Sequence, residues 1–259
     1  MFSIIWLQLF SQDTLNVFKK TVENHGKIWE STWKPKQYNY KLLIPLATAT
    51  GVSIGFEQHI NKELRQFSGK HNLNTISGYL SLPGDPYILG SSAILLYGSG
   101  WLFKDQKLRH TAVMATEAYG HTAVFTLLGK LLFARQRPYV NGKDQWHFFP
   151  SSFQNTGTSP TDLHSFPSAH TSGVFALATV LAKQYQNTGW VPPVAYTIAG
   201  LTGLSRITGN EHWLSDVIAG AALGYANGYF VVERDRNTQF TLFPAYWDNK
   251  ILLTMQLKL

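Results

Sequence analysis

The stretch "LSRITGNEHWLSDVIAG" (residues 204–220) places Arg206, His212 and Asp216 in an apolar, glycine-rich sequence. His212 and Asp216 are four residues apart, so on a helix they share one face, where the carboxylate can fix one imidazole tautomer and raise the ring's basicity. Arg206 lies just before them, across the turn residues "TGNE". Because burying charge is costly unless it is paired, the stretch indicates either a reactive His–Asp couple or a buried pair that only joins helices.

A second cluster, "SFPSAHTSG" (residues 165–173), is typical of a helix start. Pro167 and Ser168 fit the first positions, with Ser168 near the N-cap. Free backbone N–H groups at a helix N-terminus bind anions, and His170 in the first turn would lie beside such an anion. The alternative is an ordinary cap followed by a surface histidine.

A third cluster, "KLLFARQRP" (residues 130–138), ends an apolar helix with Lys130, Arg135 and Arg137. Taken alone, it is interpreted as cations that complement a helix C-terminus.

The three clusters all lie at helix ends, so they can converge on one rim of a helical bundle. Cations, the Ser168 hydroxyl and backbone amides suit a tetrahedral oxyanion, while one histidine attacks and the other gives a proton. The sequence has no evident acidic cluster of the kind that holds a divalent metal. We therefore predict metal-free phosphoryl transfer to histidine.

Helices must position these clusters, and the pattern predicts an all-α fold in a single domain over residues 1–259. Helices are expected from Asp13 or Thr14 to about Glu30, and then at about 41–66, 86–103, 107–134, 171–186, 191–206 and 212–233. Residues 139–166 form a long polar and aromatic loop, and loops of that length are usually functional. Alternation in the tail (residues 238–259) favours a short β-hairpin across Trp247–Lys250.

Composition narrows the classes of partner. The net charge is +7, hydrophobic residues make up 44% and charged residues 14% of the chain, and there is no cysteine, which excludes disulfides and thiol chemistry. A basic chain suits an anionic partner such as nucleic acid, an anionic membrane surface or a phosphorylated substrate; the alternative is a solvated basic surface. No nucleic-acid motif is present, so no nucleic-acid partner is expected.

The sequence contains three apolar segments that are candidates for contact with a membrane. The apolar candidates at about 88–103, 111–133 and 217–232 are short or interrupted, and are interpreted as buried core helices, with contact at a membrane surface left open. The apolar run within residues 1–12 is either a leader or part of an N-terminal helix.

Together the clusters resemble the signature of the type-2 phosphatidic acid phosphatase superfamily, which includes bacterial acid phosphatases, lipid phosphate phosphatases and vanadium haloperoxidases. That signature reads K-x6-R-P, P-S-G-H and S-R-x5-H-x3-D. The chain matches it at Lys130, Arg137-Pro138, Pro167-Ser168, His170, Ser205-Arg206, His212 and Asp216. It departs once, with Ala169 in place of glycine, and the resemblance covers a catalytic core of about residues 107–233.

The resemblance implies a helical bundle of the acid phosphatase/vanadium haloperoxidase type and a role for each matched residue. His212 would be the nucleophile that forms a phosphohistidine, Asp216 would orient it, and His170 would protonate the leaving oxygen and then activate water. The phosphate would be held by Lys130, Arg137, Ser168, the backbone N–H of Ala169, and Arg206. If the family's backbone needs a positive φ at Ala169, alanine costs about 1 kcal/mol there. No metal or cofactor is expected, and phosphate or vanadate would occupy the site.

The function predicted on this basis is a metal-independent phosphatase for phosphate monoesters or pyrophosphates, acting on a membrane lipid. Aromatic loop residues would either grip an acyl or prenyl chain or form a small core of their own; they are Trp146, Phe148, Phe149 and Phe153. Alternatives are a vanadate-dependent haloperoxidase, a soluble non-specific acid phosphatase, and a non-enzymatic basic protein docking on an anionic surface. The resemblance implies a bacterial periplasmic location or the outer face of the inner membrane; it leaves natural substrate and oligomeric state open.

Overall fold

The computed structural model describes residues 40–71, 73–149 and 159–237, and the backbone of two strands at 240–247 and 250–257. The expected leader, the helix predicted over residues 13–30, and Phe153 lie outside the described residues.

The all-α prediction is confirmed. The helices are α1 (Tyr40–Lys70), α2 (Leu73–Ser81), α3 (Pro86–Leu102), α4 (Gln106–Phe133), the single turn α5 (Pro138–Asn141), α6 (Ala169–Gln184), α7 (Val191–Thr208) and α8 (Leu214–Asn237), with 3₁₀ turns at Leu82–Gly84 and Pro160–Leu163. The tail forms β1 (Phe240–Trp247) and β2 (Lys250–Leu257), antiparallel with Trp247 opposite Lys250. This is the hairpin that the alternation indicated.

Local chemistry explains the ends of two long helices. Asp85 and Asp105 are the N-caps of α3 and α4, and their carboxylates accept hydrogen bonds from first-turn N–H groups. Helix α4 ends at Phe133, because the left-handed backbone of the next residue, Ala134 (φ 39°, ψ 52°), stops the helix and redirects the chain into the "RQRP" segment. Both predicted spans are therefore right to within one residue.

The long loop expected over residues 139–166 is only partly a loop. Residues 145–149 run antiparallel to residues 132–136, because Gln136 N–H donates to the Gln145 carbonyl and His147 N–H donates to the Ala134 carbonyl. Helix α5 and the second 3₁₀ turn account for more of it. The sequence pattern did not predict these pieces because segments of four or five residues are too short to show a periodicity.

Helix α6 lies at the centre of the bundle, where it packs against α4, α7 and α8, while α1 packs against α8. Three glycines spaced four residues apart on α8 allow the closest of these contacts: Gly220, Gly224 and Gly228. A Cβ built on Gly224 would lie 2.2 Å from the Ser172 carbonyl oxygen, and one on Gly220 would lie 2.7 Å from that of Ser168. The glycine face thus brings the start of α6 against the start of α8.

Among the helices described in residues 40–237, we find none with the length and apolar character needed to cross a membrane.

We expect Gly224→Ala to lower the free energy of unfolding by about 1–3 kcal/mol, since its methyl group would overlap the Ser172 carbonyl. The matched control is Gly200→Ala on α7, where a Cβ meets nothing within 4 Å and the better helix propensity adds up to about 1 kcal/mol. Urea unfolding of the two variants measures both effects. Equal stability of the two variants would contradict the close packing of α6 on α8.

Candidate active site

His212 and Asp216 form a buried couple at the start of α8. The imidazole Nδ1 lies 3.4 Å from Asp216 Oδ2, and the two side chains are 2% and 0% exposed. The same carboxylate oxygen accepts a hydrogen bond from Ser165 Oγ at 2.5 Å and another from Trp213 N–H at 2.8 Å. Helix α8 begins at Leu214, so His212 lies just before it, whereas the helix predicted from the sequence began two residues earlier, at 212.

The electrostatics of this couple favour a neutral ring beside an ionised carboxylate. Burial lowers the pKa of His212 from 6.5 to about 3, although Asp216 opposes the shift. Burial alone would raise the pKa of Asp216, but the His212 hydrogen bond, Arg135 and Ser165 outweigh it and hold that pKa below its ordinary value. With Nδ1 directed at the carboxylate, Nε2 is the nitrogen left to carry a reactive lone pair.

Arg135 holds the other oxygen of Asp216, which corrects its interpretation as a cation at a helix C-terminus. Its side chain is 0% exposed and pairs with three carboxylates, one for each edge of the guanidinium. Nη1 lies 2.6 Å from Asp216 Oδ1, Nε lies 2.7 Å from Asp144 Oδ1, and Nη2 donates to Glu57 Oε1. Burial opposes its charge, yet Asp216 and the other two carboxylates raise the pKa of Arg135 above its ordinary value.

Two further contacts fix this guanidinium. The indole rings of Trp146 and Trp213 lie 4.3 and 5.3 Å from its carbon atom. Ser215 accepts a hydrogen bond from Arg135 Nη1 and donates to Glu57 Oε2 at 2.5 Å, so it joins α8 to α1.

Sequence reasoning missed Glu57, Asp144, Ser165 and Ser215, the residues that complete this network. Glu57 lies on a helix far from the three clusters along the chain, and no motif distinguishes it. The one available signal was Arg135 itself, an extra arginine beside the matched Lys130 and Arg137.

The predicted phosphate-binding cations do come together. Burial lowers the pKa of Lys130 from 10.5 to about 7, and Arg137 and Arg206 lower it further by their proximity, while Asp216 opposes them. Arg137 Nη1 lies 2.6 Å from Glu211 Oε2, and Arg206 Nη2 lies 3.5 Å from the same oxygen. Glu211, another residue that sequence reasoning missed, thus supplies an anionic oxygen between two cations.

Of the hydrogen-bond donors on these three cations, some already have an acceptor and two have none among the described residues. Lys130 Nζ donates to the His164 carbonyl. The Nε atoms of Arg137 and Arg206 are buried and have no hydrogen-bond partner among the described residues. Because an unmade hydrogen bond to a buried charged group is costly, these donors favour an anionic ligand.

The start of α6 supplies the second histidine. Ser168 occupies the N-cap, as predicted, but its hydroxyl lies 2.9 Å from Thr171 Oγ1 and does not cap the helix; its N–H donates to the Asp216 carbonyl at 3.0 Å. Ala169 is the first helical residue and is not among the described non-glycine residues with positive φ. Alanine is therefore unstrained there, and the first-turn N–H groups of a helix have no partner within it.

His170 lies in that first turn. Burial lowers its pKa from 6.5 to about 4, and Arg206 lowers it further while Asp85 opposes. Gly84 lies directly against it, because a Cβ at Gly84 would be 2.7 Å from the His170 carbonyl oxygen. The 3₁₀ turn before α3 thus packs against the backbone of His170.

The aromatic residues of the loop were expected either to grip a lipid chain or to form a small core, and the structure supports a different role for different residues. The Trp146 ring packs on Phe133 (5.9 Å between centroids), Phe148 (6.0 Å) and Phe166 (5.4 Å), which favours a small core of its own. Phe148 and Phe149 are 56% and 57% exposed and remain accessible to a ligand.

Within the part of the chain that the structure describes, no group of three or more His, Asp or Glu side chains is placed to hold a metal ion. The assembled site comprises a neutral buried histidine, a second histidine and three cations around one anion position. That arrangement can bind a tetrahedral oxyanion and transfer its central atom to nitrogen.

Comparison with known proteins matches this arrangement to a family. The model of the PAP2 superfamily matches residues 108–239, close to the core of about 107–233 expected from the signature. A lipid A 1-phosphatase of Porphyromonas gingivalis is 28% identical over 198 residues, which are 75% of this chain and 38% of that protein. A bacitracin transport permease protein, BcrC, of Bacillus licheniformis is 29% identical over 134 residues, 51% of this chain and 59% of that protein. The chain thus spans less than two thirds of either relative.

Two solved structures share the fold. The crystal structure of Aquifex aeolicus LpxE has a TM-score of 0.52 and 20% identity, over 69% of this chain and 95% of that one. A transmembrane PAP2 type phosphatidylglycerolphosphate phosphatase from Bacillus subtilis has a TM-score of 0.57 and 20% identity, over 76% of this chain and 94% of that one. At this identity the likeness shows the fold alone.

We expect Arg135→Lys to lower the free energy of unfolding by about 3–5 kcal/mol, because one ammonium cannot serve three buried carboxylates. The matched control is Arg234→Lys, which alters a partly exposed pair with Glu117 and should cost at most about 1 kcal/mol. Denaturant unfolding of the two variants checks this. Equal losses would contradict a central role for Arg135.

Proposed function

Because the chain belongs to the PAP2 superfamily, we propose that it is a metal-independent phosphatase that hydrolyses a lipid phosphate through a phosphohistidine intermediate. The observation that carries the proposal is the neutral, buried His212, held by Asp216 beside three converging cations.

In the first step, the phosphate group replaces the Glu211 carboxylate between Arg137 and Arg206 and is bound also by Lys130. His212 Nε2 attacks phosphorus, so an N–P bond forms as the bond from phosphorus to the leaving oxygen breaks. His170, protonated in the complex, gives its proton to that oxygen and becomes neutral. The ionised Asp216 stabilises the positive charge that the His212 ring acquires.

In the second step, neutral His170 takes a proton from water, and the water oxygen attacks phosphorus. The N–P bond breaks, its electron pair returns to His212 Nε2, and inorganic phosphate leaves. First-turn N–H groups of α6 and the three cations stabilise the charge on the phosphoryl oxygens in both steps.

A lipid substrate is favoured by two observations. The name of one relative, a lipid A 1-phosphatase, states a phosphorylated lipid as its substrate. Large apolar side chains are also exposed along α3, α4 and α7, in the set Ile94, Leu95, Trp101, Leu102, Val124, Leu127, Leu128, Leu132, Val194, Ile198, Leu201 and Leu204. We propose that such side chains contact a membrane, and that the protein works in the periplasm or at the outer face of the inner membrane.

We expect His212→Ala to reduce phosphate release by about a thousandfold or more, since it removes the proposed nucleophile. The matched control is His110→Ala, which breaks a His–Asp contact of 3.0 Å to Asp235 outside the site and should retain wild-type activity. Release is measured with chelator present on p-nitrophenyl phosphate, phosphatidic acid, phosphatidylglycerol phosphate and undecaprenyl diphosphate.

Activity that survives in His212→Ala would refute the phosphohistidine route, and chelator-sensitive activity would refute metal independence. Turnover of p-nitrophenyl phosphate without any lipid would point to a soluble-substrate acid phosphatase. Bromide oxidation that requires added vanadate would point to a haloperoxidase.

The pH profile is expected to fall mainly on its alkaline side. The pKa of His212 is about 3, so its ring stays neutral and reactive down to about pH 4. Lys130, with a pKa of about 7, carries its charge below pH 7 and loses it as pH rises, which weakens phosphate binding. His170 also loses its proton as pH rises, but a bound anion raises its pKa, so kcat should stay high to a higher pH than kcat/KM.

Lys130→Arg tests the alkaline limb, because arginine remains charged across this range. We expect the decline of kcat/KM near pH 7 to diminish in this variant, whatever its overall rate. Identical alkaline limbs in both proteins would contradict the assignment to Lys130.

A further inference from the structure

A cavity of about 340 Å³ lies beside the candidate active site and takes no part in the mechanism above. Its volume falls in the range of about 300–1,000 Å³ that is common for small-ligand pockets. It lies between α1 and the segments that flank the catalytic residues, and its lining is Gln58, His59, Asn61, Lys62, Arg65, Pro138, Gly142, Asn210 and Trp213.

The cavity adjoins the site through its lining. Asn210 and Trp213 flank Glu211 and His212 in the sequence, and Pro138 follows Arg137. The α1 side of the cavity lies before residue 108, outside the segment that the family model matches. Glu57, one turn before Asn61, reaches the catalytic network from the same helix.

The unpaired side-chain amide of Asn61 indicates that the cavity binds a ligand. The residue is only 5% exposed, and neither its side-chain nitrogen nor its oxygen has a hydrogen-bond partner among the described residues. Leaving both ends of a buried amide unpaired costs roughly 1–3 kcal/mol for each group. A ligand with oxygen acceptors and a hydroxyl donor would satisfy both.

The charge of the lining identifies the class of ligand. Lys62 and Arg65 are cations on α1, and the described lining contains no aspartate or glutamate. Gln58, Asn61, Lys62 and Arg65 have the spacing i, i+3, i+4 and i+7, so they share one helix face. Cations combined with amide groups suit a phosphate, which accepts hydrogen bonds and offers a P–OH donor as the monoanion.

We propose that this cavity binds a second phosphate group, separate from the one that reacts with His212. The group belongs either to the substrate, which would then be a bisphosphorylated lipid, or to free inorganic phosphate acting beside the site. The substrate source rests on the proposed phosphatase function, whereas the binding of phosphate in the cavity does not.

Two variants of the full chain test the cavity. Lys62→Gln combined with Arg65→Gln removes both exposed cations, and Asn61→Asp places a carboxylate of equal size against the ligand. The matched control, Lys41→Gln with Lys70→Gln, removes two exposed cations of the same helix outside the cavity. Isothermal titration with inorganic phosphate counts sites, and kinetics compare a bisphosphorylated lipid with the same lipid carrying only the hydrolysed phosphate.

Wild type and control should bind two phosphates per chain, and both cavity variants should bind one. A KM for the bisphosphorylated lipid that rises tenfold or more, with a change of less than twofold for the monophosphorylated lipid, assigns the group to the substrate. Unchanged KM values for both lipids assign it to free phosphate. One phosphate site in wild type, together with equal lipid preference in all proteins, overturns the proposal.

The two proposals fail in different ways. If no lipid is hydrolysed by any protein, the phosphatase function fails, and the phosphate count alone decides the cavity. If lipids are hydrolysed but the count and the lipid preference do not change with the variants, only the cavity proposal fails.

Discussion

The buried guanidinium of Arg135 is the interaction on which the rest of the site depends. A fully desolvated charge is tolerated only when its partners match it in number and geometry, and here three carboxylates meet its three edges while two indoles cover its faces. Each carboxylate comes from a different part of the chain: Glu57 from α1, Asp144 from the segment after α5, and Asp216 from α8. Fixing Arg135 therefore fixes the direction of the Asp216 carboxylate and, through it, the His212 ring.

Arg135 orients His212, and the close packing of small residues brings His170 near it. The glycine face of α8 lets the α6 backbone come nearer than side chains would permit, and the first turn of α6 carries Ser168, Ala169 and His170. The cations then meet because their helices end at the same rim. Burial lowers the pKa of Lys130 most, and the nearby Arg137 and Arg206 lower it further. An anion that binds among these cations offsets their mutual repulsion.

The sequence predicted the large helices and every motif residue that the structure places at this rim, because periodicity and cap chemistry are local and the motif spacing is specific. The start of α8 was placed two residues early, because His212 and Trp213 fit the helical pattern but are held in the preceding turn by the Arg206 and Asp216 contacts. Arg135 was misinterpreted because the sequence around a cation that follows a helix is the same whether its side chain is solvated or buried. Glu57 and Glu211 were beyond sequence reasoning, since their importance arises only from contacts across the fold. The roles of the matched residues remain predictions.

The participation of α1 has a consequence for what counts as the minimal catalytic unit. The family model matches the chain from residue 108 onward, yet a fragment cut there would lack Glu57, which pairs with one edge of the buried Arg135 guanidinium. Transplanting the segment that the family model matches into another scaffold would meet the same deficit unless the host supplied a carboxylate at that point. The segment that the family model matches is thus shorter than the part of the chain that holds the site together, and chimeras should include α1.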